Sequence, residues 1–264
     1  MLQQLMTTLG CFFLMFPLAT AFGGQAVELH HLLDLPSSEE KTVALTLDSC
    51  GGAYDADILK FLVEQRIPAT VFATRKWLER HPAAVSLLNS HPLLFDVEDH
   101  GERHVPAIIG AGRTVRGMAG NPDADHLRRE VIGGAKAVEA ATGKAPRWYR
   151  GAGGEYDPEA LEIIENIGLR VAGFSVNADD GATLTRRQVI RRLQQVRNGD
   201  IIIAHMNRPD SDTAEGLAVG LNELLARGFR FVTLREAKVS RRAGPGPARS
   251  LRPVESRSFR QFTI

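Results

Sequence analysis

The feature that most constrains this 264-residue chain is an alternation of two periodicities. Short apolar runs recur along it: VALTL at 43–47, ATVFA at 69–73, LLFDV at 93–97, RWY at 147–149, RVAGFSV at 170–176, DIIIAH at 200–205 and FRFVTL at 229–234. Between them lie amphipathic stretches such as DADILKFLVEQ, DADHLRREVIGGAKAVEAAT, DPEALEIIENIG and TRRQVIRRLQQVRNG, several opening on an Asp or Thr cap and closing on Gly. Strand, helix, strand repeated about seven times implies a parallel sheet with helical crossovers. The expected fold class is therefore α/β, a distorted (β/α) barrel of about seven parallel strands, with an open doubly wound sheet as the alternative.

Charge excludes some partners. The chain carries 32 basic and 31 acidic residues, net +1, so no bulk field points to nucleic acid or to an acidic membrane surface. The first 27 residues hold no charged side chain, and their apolar centre is followed by Ala19-Thr20-Ala21, a small-x-small pattern. Residues 1–27 are read as a secretory signal peptide, or as an N-terminal membrane anchor if retained. The protein is accordingly expected to be exported, periplasmic or extracellular. At the other end, residues 239–264 hold six arginines against one glutamate among Pro, Gly and Ser, and read as a disordered basic tail. The folded domain is expected over 28–238. Without the signal, Cys50 is the sole cysteine, which leaves no intramolecular disulfide.

In a parallel α/β barrel, groups at the C-terminal ends of the strands share one mouth. The polar residues gather there: Asp48 ends the first run, His100 and His104 follow the third, Arg150 follows the fourth, Asn177, Asp179 and Asp180 follow the fifth, and His205 ends the sixth. In DHGERH, residues 99–104, two histidines four apart share a face if that turn is helical, and both can then reach one metal. Zinc is the default ion for two imidazoles and an oxygen. His205 ends a very apolar run; it is either a core histidine or a general acid, for which a pKa near neutrality is suited. Arg150 is either a structural ion-pair partner or the group that fixes an acid's ionisation. Cys50 reads as a half-buried packing residue. The glycine-rich stretch at 110–125 is long enough for a functional loop near the site.

Five stretches in order, TLDSC, HGERH, YRGAGGEYDP, NADDG and IIIAH, resemble the motifs of the polysaccharide deacetylases, carbohydrate esterase family 4. The likeness runs from about Thr42 to Leu234. It implies a hydrolase that removes acetyl groups from an N-acetylated polysaccharide or oligosaccharide by metal-assisted attack of water. By that likeness Asp48 is the general base, His100 and His104 are metal ligands, and Arg150 orients the base. Asp180 would pair with His205, the acid that protonates the leaving amine, and Gly153 would lend its amide to the oxyanion. Where the family has a second acid as third metal ligand, this chain has Ser49. The substitute ligand is sought among Asp48, Cys50, Asp99 and Glu102, with Ser49 itself a poor one. Gly153 stands where an aromatic is usual, Asn177 where an acid is, and Gly181 where a tryptophan is, so the sugar platform is reduced or rebuilt. Two other readings remain: a metal-free or divergent carbon–nitrogen or ester hydrolase of the same fold, and a non-catalytic glycan-binding barrel.

Overall fold

The computed structural model describes residues 25–35 and 40–241. The signal segment up to residue 24 and the arginine-rich stretch from 242 onward lie outside the described residues. One curled sheet of eight strands forms the centre. Its strands, named here in chain order, are β1 (Lys41–Ser49), β2 (Ala69–Ala73), β3 (Phe95–Asp99), β4 (Trp148–Tyr149), β5 (Arg170–Val171), β6 (Val176–Asn177), β7 (Ile201–His205) and β8 (Phe229–Val232). The order is β5-β4-β3-β2-β1-β7-β6, every pair is parallel, and β8 pairs with the first half of β1. The expected α/β barrel of about seven parallel strands is the observed architecture.

Helices cover the outer face: α1 (Ala56–Glu64), α2 (Arg75–Arg80), α3 (Pro82–Ser90), α4 (Ala124–Thr142), α5 (Pro158–Ile167), α6 (Arg186–Gln194) and α7 (Thr213–Ala226). Several start where the sequence places a cap. Asp55, Asp123 and Asp157 each accept a hydrogen bond from a backbone N–H of the first turn, and Thr185 forms a reciprocal capping box with Gln188.

Alternation along β1 sorts the residues. Val43, Leu45 and Leu47 enter the core beneath the helices, together with Ala69, Val71 and Ile202. Ala44 packs instead with Phe72, Phe174, Ile201 and Ile203 in a separate interior cluster, and Thr46 and Asp48 share the face of Ala44. Asp48 thus reaches the barrel interior, whereas Ser49, one residue on, falls on the helix side.

The run RVAGFSV, expected as one strand, is two. β5 and β6 sit at opposite ends of the sheet, and residues 172–175 cross the gap between them. The chain from Val27 to Leu33 closes that gap. Val27–Glu28 pairs antiparallel with Glu155–Tyr156, Leu29 O accepts from Phe174 N at 3.2 Å, and His31 Nδ1 accepts from Gly173 N at 3.1 Å. Leu33 N donates to Gly199 O at 2.8 Å, and His31–Leu33 pairs antiparallel with Val239–Arg241. A Cβ on Gly173 would overlap the Leu29 carbonyl, so this seam needs glycine at 173. Residue 27 and residues 239–241, outside the expected domain limits, therefore take part in the fold.

Candidate active site

Arg150 occupies the centre of the barrel, fully buried. It extends directly from β4, and its guanidinium lies 4.2 Å from the Phe72 ring centroid and 5.9 Å from that of Phe174. Nη1 donates to Asp48 Oδ1 and Thr46 Oγ1, both at 2.8 Å, while Nε and Nη2 donate to the Ala172 and Gly173 carbonyls at 3.3 Å. A buried cation with its donors spent in this way is a fixed charge. Burial would raise the Asp48 carboxyl pKa, but Arg150, His100 and His205 outweigh it and hold it below the usual carboxylate range. Oδ1 is committed to Arg150; Oδ2 lies 3.8 Å from His100 Nε2.

His100 is buried and held from behind, its Nδ1 2.6 Å from the Arg150 carbonyl. A carbonyl can only accept, so Nδ1 carries the proton and Nε2 presents its lone pair to the site. His104 reaches the same place by a route the spacing did not reveal. Residues 100–104 are not helical; the backbone turns through left-handed conformations at Gly101 (φ 88°) and His104 (φ 68°). The loop is organised by α4: Glu130 accepts from Arg103 N at 2.9 Å and Val105 N at 3.0 Å, and its carbonyl accepts from Glu102 N at 2.9 Å. Gly134 on the same helix lets Gly101 and Asp99 approach closely, because a Cβ there would sit 2.6 Å from the Gly101 carbonyl carbon. The two imidazoles end with ring centroids 4.9 Å apart. Burial, then the neighbouring His100, pushes His104 down to about 3; burial also lowers His100. Both rings are neutral, the form that ligates a metal.

Cys50 completes the group. Its Sγ is 3.5 Å from His100 Nε2, and the ligand atoms of Cys50, His100 and His104 all lie within 4.8 Å of one another. Tetrahedral zinc with bonds of about 2.3 Å to sulfur and about 2.0 Å to nitrogen separates such atoms by roughly 3.5 Å, so the donor set fits that ion. Burial raises the thiol pKa well above its ordinary value when no cation is at hand; a metal would supply the missing charge. Of the other candidates for the third ligand, Asp48 lines the cavity but commits Oδ1 to Arg150, whereas Ser49, Asp99 and Glu102 do not line it. Ser49 Oγ is buried without a hydrogen-bond partner on the helix side, Glu102 pairs with Arg75 at 2.7 Å, and Asp99 Oδ1 accepts from Gly101 N at 2.7 Å. The reading of Cys50 as a packing residue gives way to that of a ligand candidate.

His205 stands beside Asp48, in register with it across the β1–β7 pair. Its partner is Asp179 and not the expected Asp180. Asp179 is fully buried; its Oδ1 lies 2.8 Å from His205 Nδ1, and its Oδ2 accepts from His205 N at 2.7 Å and from Thr213 Oγ1 at 3.3 Å. Burial disfavours the His205 cation, but the Asp179 charge and hydrogen bond prevail and raise its pKa. Asp180 is half exposed at the apex of the following turn, with φ 51°. Its carboxyl faces Arg116, and its backbone N–H donates to Asn177 Oδ1 at 2.8 Å. The signal lay in NADDG itself: Asp-Gly marks a turn apex, which leaves the preceding acid at its base.

Asp48, Cys50, His100, His104 and His205 line one cavity of about 240 Å³. Gly153 lines it too, on a short 3₁₀ turn at Ala152–Gly154 with φ 77°. A Cβ at Gly153 would come within 2.7 Å of Val115, so an aromatic there is incompatible with the hairpin that carries Val115. Arg116, Met118, Asn207 and Phe174 are cavity residues that sequence reasoning did not single out. Both tryptophans are buried and outside the cavity: Trp77 packs with Tyr54 and His81, and Trp148 lies under Arg170.

Known proteins share this fold. A peptidoglycan-N-acetylglucosamine deacetylase of Bacillus cereus is 25% identical over 206 residues, 75% of this chain and 89% of that protein. A family 4 acetyl xylan esterase from Clostridium thermocellum, solved with a cobalt ion, shares the fold at a TM-score of 0.60 and 23% identity over 74% of this chain and 89% of the other. A CE4 family pseudoenzyme from Bacillus anthracis does so at 0.61 and 20% identity, over 75% of this chain and 65% of the other. Residues 36–172, from β1 through the Arg150 motif to β5, match the family described as polysaccharide deacetylase, and the chain belongs to that family of carbohydrate esterases.

Proposed function

We propose that the chain is an exported, metal-dependent hydrolase that removes acetyl groups from an N-acetylated glycan. The observation that carries this reading is the meeting, in one cavity, of two tuned acid–base units with a compact donor cluster: Asp48 on Arg150, His205 on Asp179, and Cys50, His100 and His104. A binding module has no use for a carboxylate whose charge is favoured by an arginine next to a histidine whose cation is favoured by an aspartate. Peptidoglycan, the substrate in the name of the Bacillus cereus relative, is one such glycan.

The reaction turns an amide and water into acetate and a free amine. Cys50, His100 and His104 would hold the metal, zinc being suited to one thiolate and two imidazoles. When bound, such an ion polarises the carbonyl and lowers the pKa of water. Asp48, ionised because of Arg150, takes a proton from the attacking water through Oδ2. Asp179 fixes the His205 tautomer so that Nε2 faces the cavity, and His205 gives its proton to the departing nitrogen, which cannot leave as an anion. Gly153, a residue of the cavity wall, would offer its backbone amide to the developing oxyanion, a contribution of about 3 kcal/mol in comparable acyl-transfer sites.

The experiment is acetate release from N-acetylated glycans by purified protein of known metal content, beside His100→Ala. About one ion per chain, with ion and activity both lost in the variant, supports the reading; full activity without metal overturns it. Because Gly153 and Gly181 line the cavity while both tryptophans are buried outside it, an O-acetylated glycan belongs in the same assay. Acetate from the ester alone would move the assignment to an esterase. Export follows from the uncharged apolar N-terminus and is tested by fractionating the host cells: protein retained in the cytoplasm would refute it.

A further inference from the structure

A bridge of ion pairs stands at the cavity wall. Thr114–Val115 and Met118–Ala119 form an antiparallel hairpin between β3 and α4, and Arg116 is at its tip with φ 48°. The guanidinium of Arg116 lies 3.6 Å from Asp180 Oδ1 and 3.7 Å from Glu28 Oε2. Three segments remote in sequence thus converge over the site: the N-terminal strand, the hairpin, and the turn that follows β6. Arg116 and Met118 line the same cavity as Asp48 and His205.

Exposed ion pairs of this length hold little by themselves. The hairpin is fixed by its base. Val115 is buried against Gly153, Gly120 N donates to Arg113 O at 2.9 Å, and Gly110 N donates to Asn121 O at 2.8 Å. Arg113 reaches from the hairpin stem to the Ile109 carbonyl at 2.7 Å and to Asp157, the cap of α5. The ion pairs only set where the Arg116 side chain lies on a support that is already rigid. The half-open cavity, about 240 Å³, is below the roughly 300 Å³ at which sites for drug-sized ligands begin, a scale closer to one sugar residue than to several.

We infer that Arg116 makes this a blind pocket that takes the acylated residue at the end of a glycan, or a short acylated sugar, and excludes residues inside a long chain. The inference rests on the deacetylase reading and assigns Arg116 as a specificity-determining residue, remote from the proton transfers.

The test uses the metal-loaded protein and an N-acetylated hexasaccharide, with the positions of free amine mapped by fragmentation mass spectrometry. Wild type is expected to expose amine at a terminal residue alone. Arg116→Ala should add internal positions and raise kcat/KM on a long polymer, relative to a disaccharide, by about tenfold. Amine at internal positions with wild type, or an unchanged pattern in Arg116→Ala, would overturn the inference while leaving the deacetylase reading intact. A second measurement is independent of turnover: calorimetric binding of the inactive Asp48→Asn variant to polymers of increasing length. Sites that stay fixed per chain support end recognition, and sites that grow with length refute it. No acetate from any of these sugars would refute the deacetylase reading, and the inference with it.

Discussion

Two residues carry what the sequence could not assign. The first is Asp179. Its carboxylate is spent entirely on His205 and Thr213, so it acts by holding the imidazole's tautomer and charge. Asp179→Asn is expected to lower kcat by roughly 10²- to 10⁴-fold with little change in KM, whereas Asp180→Asn retains most of kcat. The pH profile gives the sign. Asp48 must be ionised and is depressed, so activity is lost on the acid side only below the ordinary carboxylate range. His205 must be protonated and is raised, so activity persists above the ordinary imidazole value and falls as pH climbs through the folded-state pKa. Removing the Asp179 charge should shift that alkaline limb to lower pH. The second residue is Cys50. Cobalt-loaded protein is expected to show a near-ultraviolet thiolate-to-cobalt charge-transfer band that disappears in Cys50→Ser. A spectrum unchanged by that substitution would return Cys50 to a packing role and leave the ion to the two histidines. Ser49 ends β1 with its hydroxyl buried and outside the cavity, and Cys50, the next residue and just past the strand end, is the side chain that lines it.

At the scale of elements, the loop that carries His100 and His104 depends on α4. Periodicity and caps made the helix itself legible, and its observed span, Ala124–Thr142, is one residue short of the stretch read from sequence. What periodicity could not show is that Glu130 would be turned inward to hold the loop of His100 and His104. An acid on an amphipathic helix ordinarily faces water, and only the tertiary structure reveals the loop amides it serves. Glu130→Ala should leave the Arg103 and Val105 N–H groups unsatisfied at about 1–3 kcal/mol each. It should also weaken metal binding by about 10- to 100-fold, as loss of an orienting partner does elsewhere. Thermal melting and a metal titration read the two effects separately. Metal affinity equal to wild type would show that the loop holds its shape without α4. The glycine-rich stretch at 110–125 was recognisable as a loop of some purpose, but its hairpin and the reach of Arg116 depend on partners at residues 28 and 180, which no local pattern encodes.

For the whole molecule, alternation of strand and helix was enough to give the barrel and the common edge on which Asp48, His100, Arg150 and His205 lie. It was not enough to close it. RVAGFSV reads as one strand because its apolar run is unbroken. Gly173 lies midway, where the backbone must pass beneath Leu29, and the run divides between the two ends of the sheet. Gly173→Ala is expected to cost about 1–3 kcal/mol, typical of overpacking, or more because the obstructing atom is backbone. A melt of the variant, with far-ultraviolet circular dichroism confirming that helices and strands persist, checks this. A Tm within error of wild type would show that the seam has slack.

The seam also sets an order of events. Residues 27–33 find their partners at 155–156, 173–174, 199–200 and 239–241, so the first described segment of the chain is completed only when the last has joined it. During synthesis the helices and inner strands can assemble as they appear, but the staves are not fully hooped until residue 241 is free of the ribosome. Until then the early strands are held by a clasp that is only partly fastened.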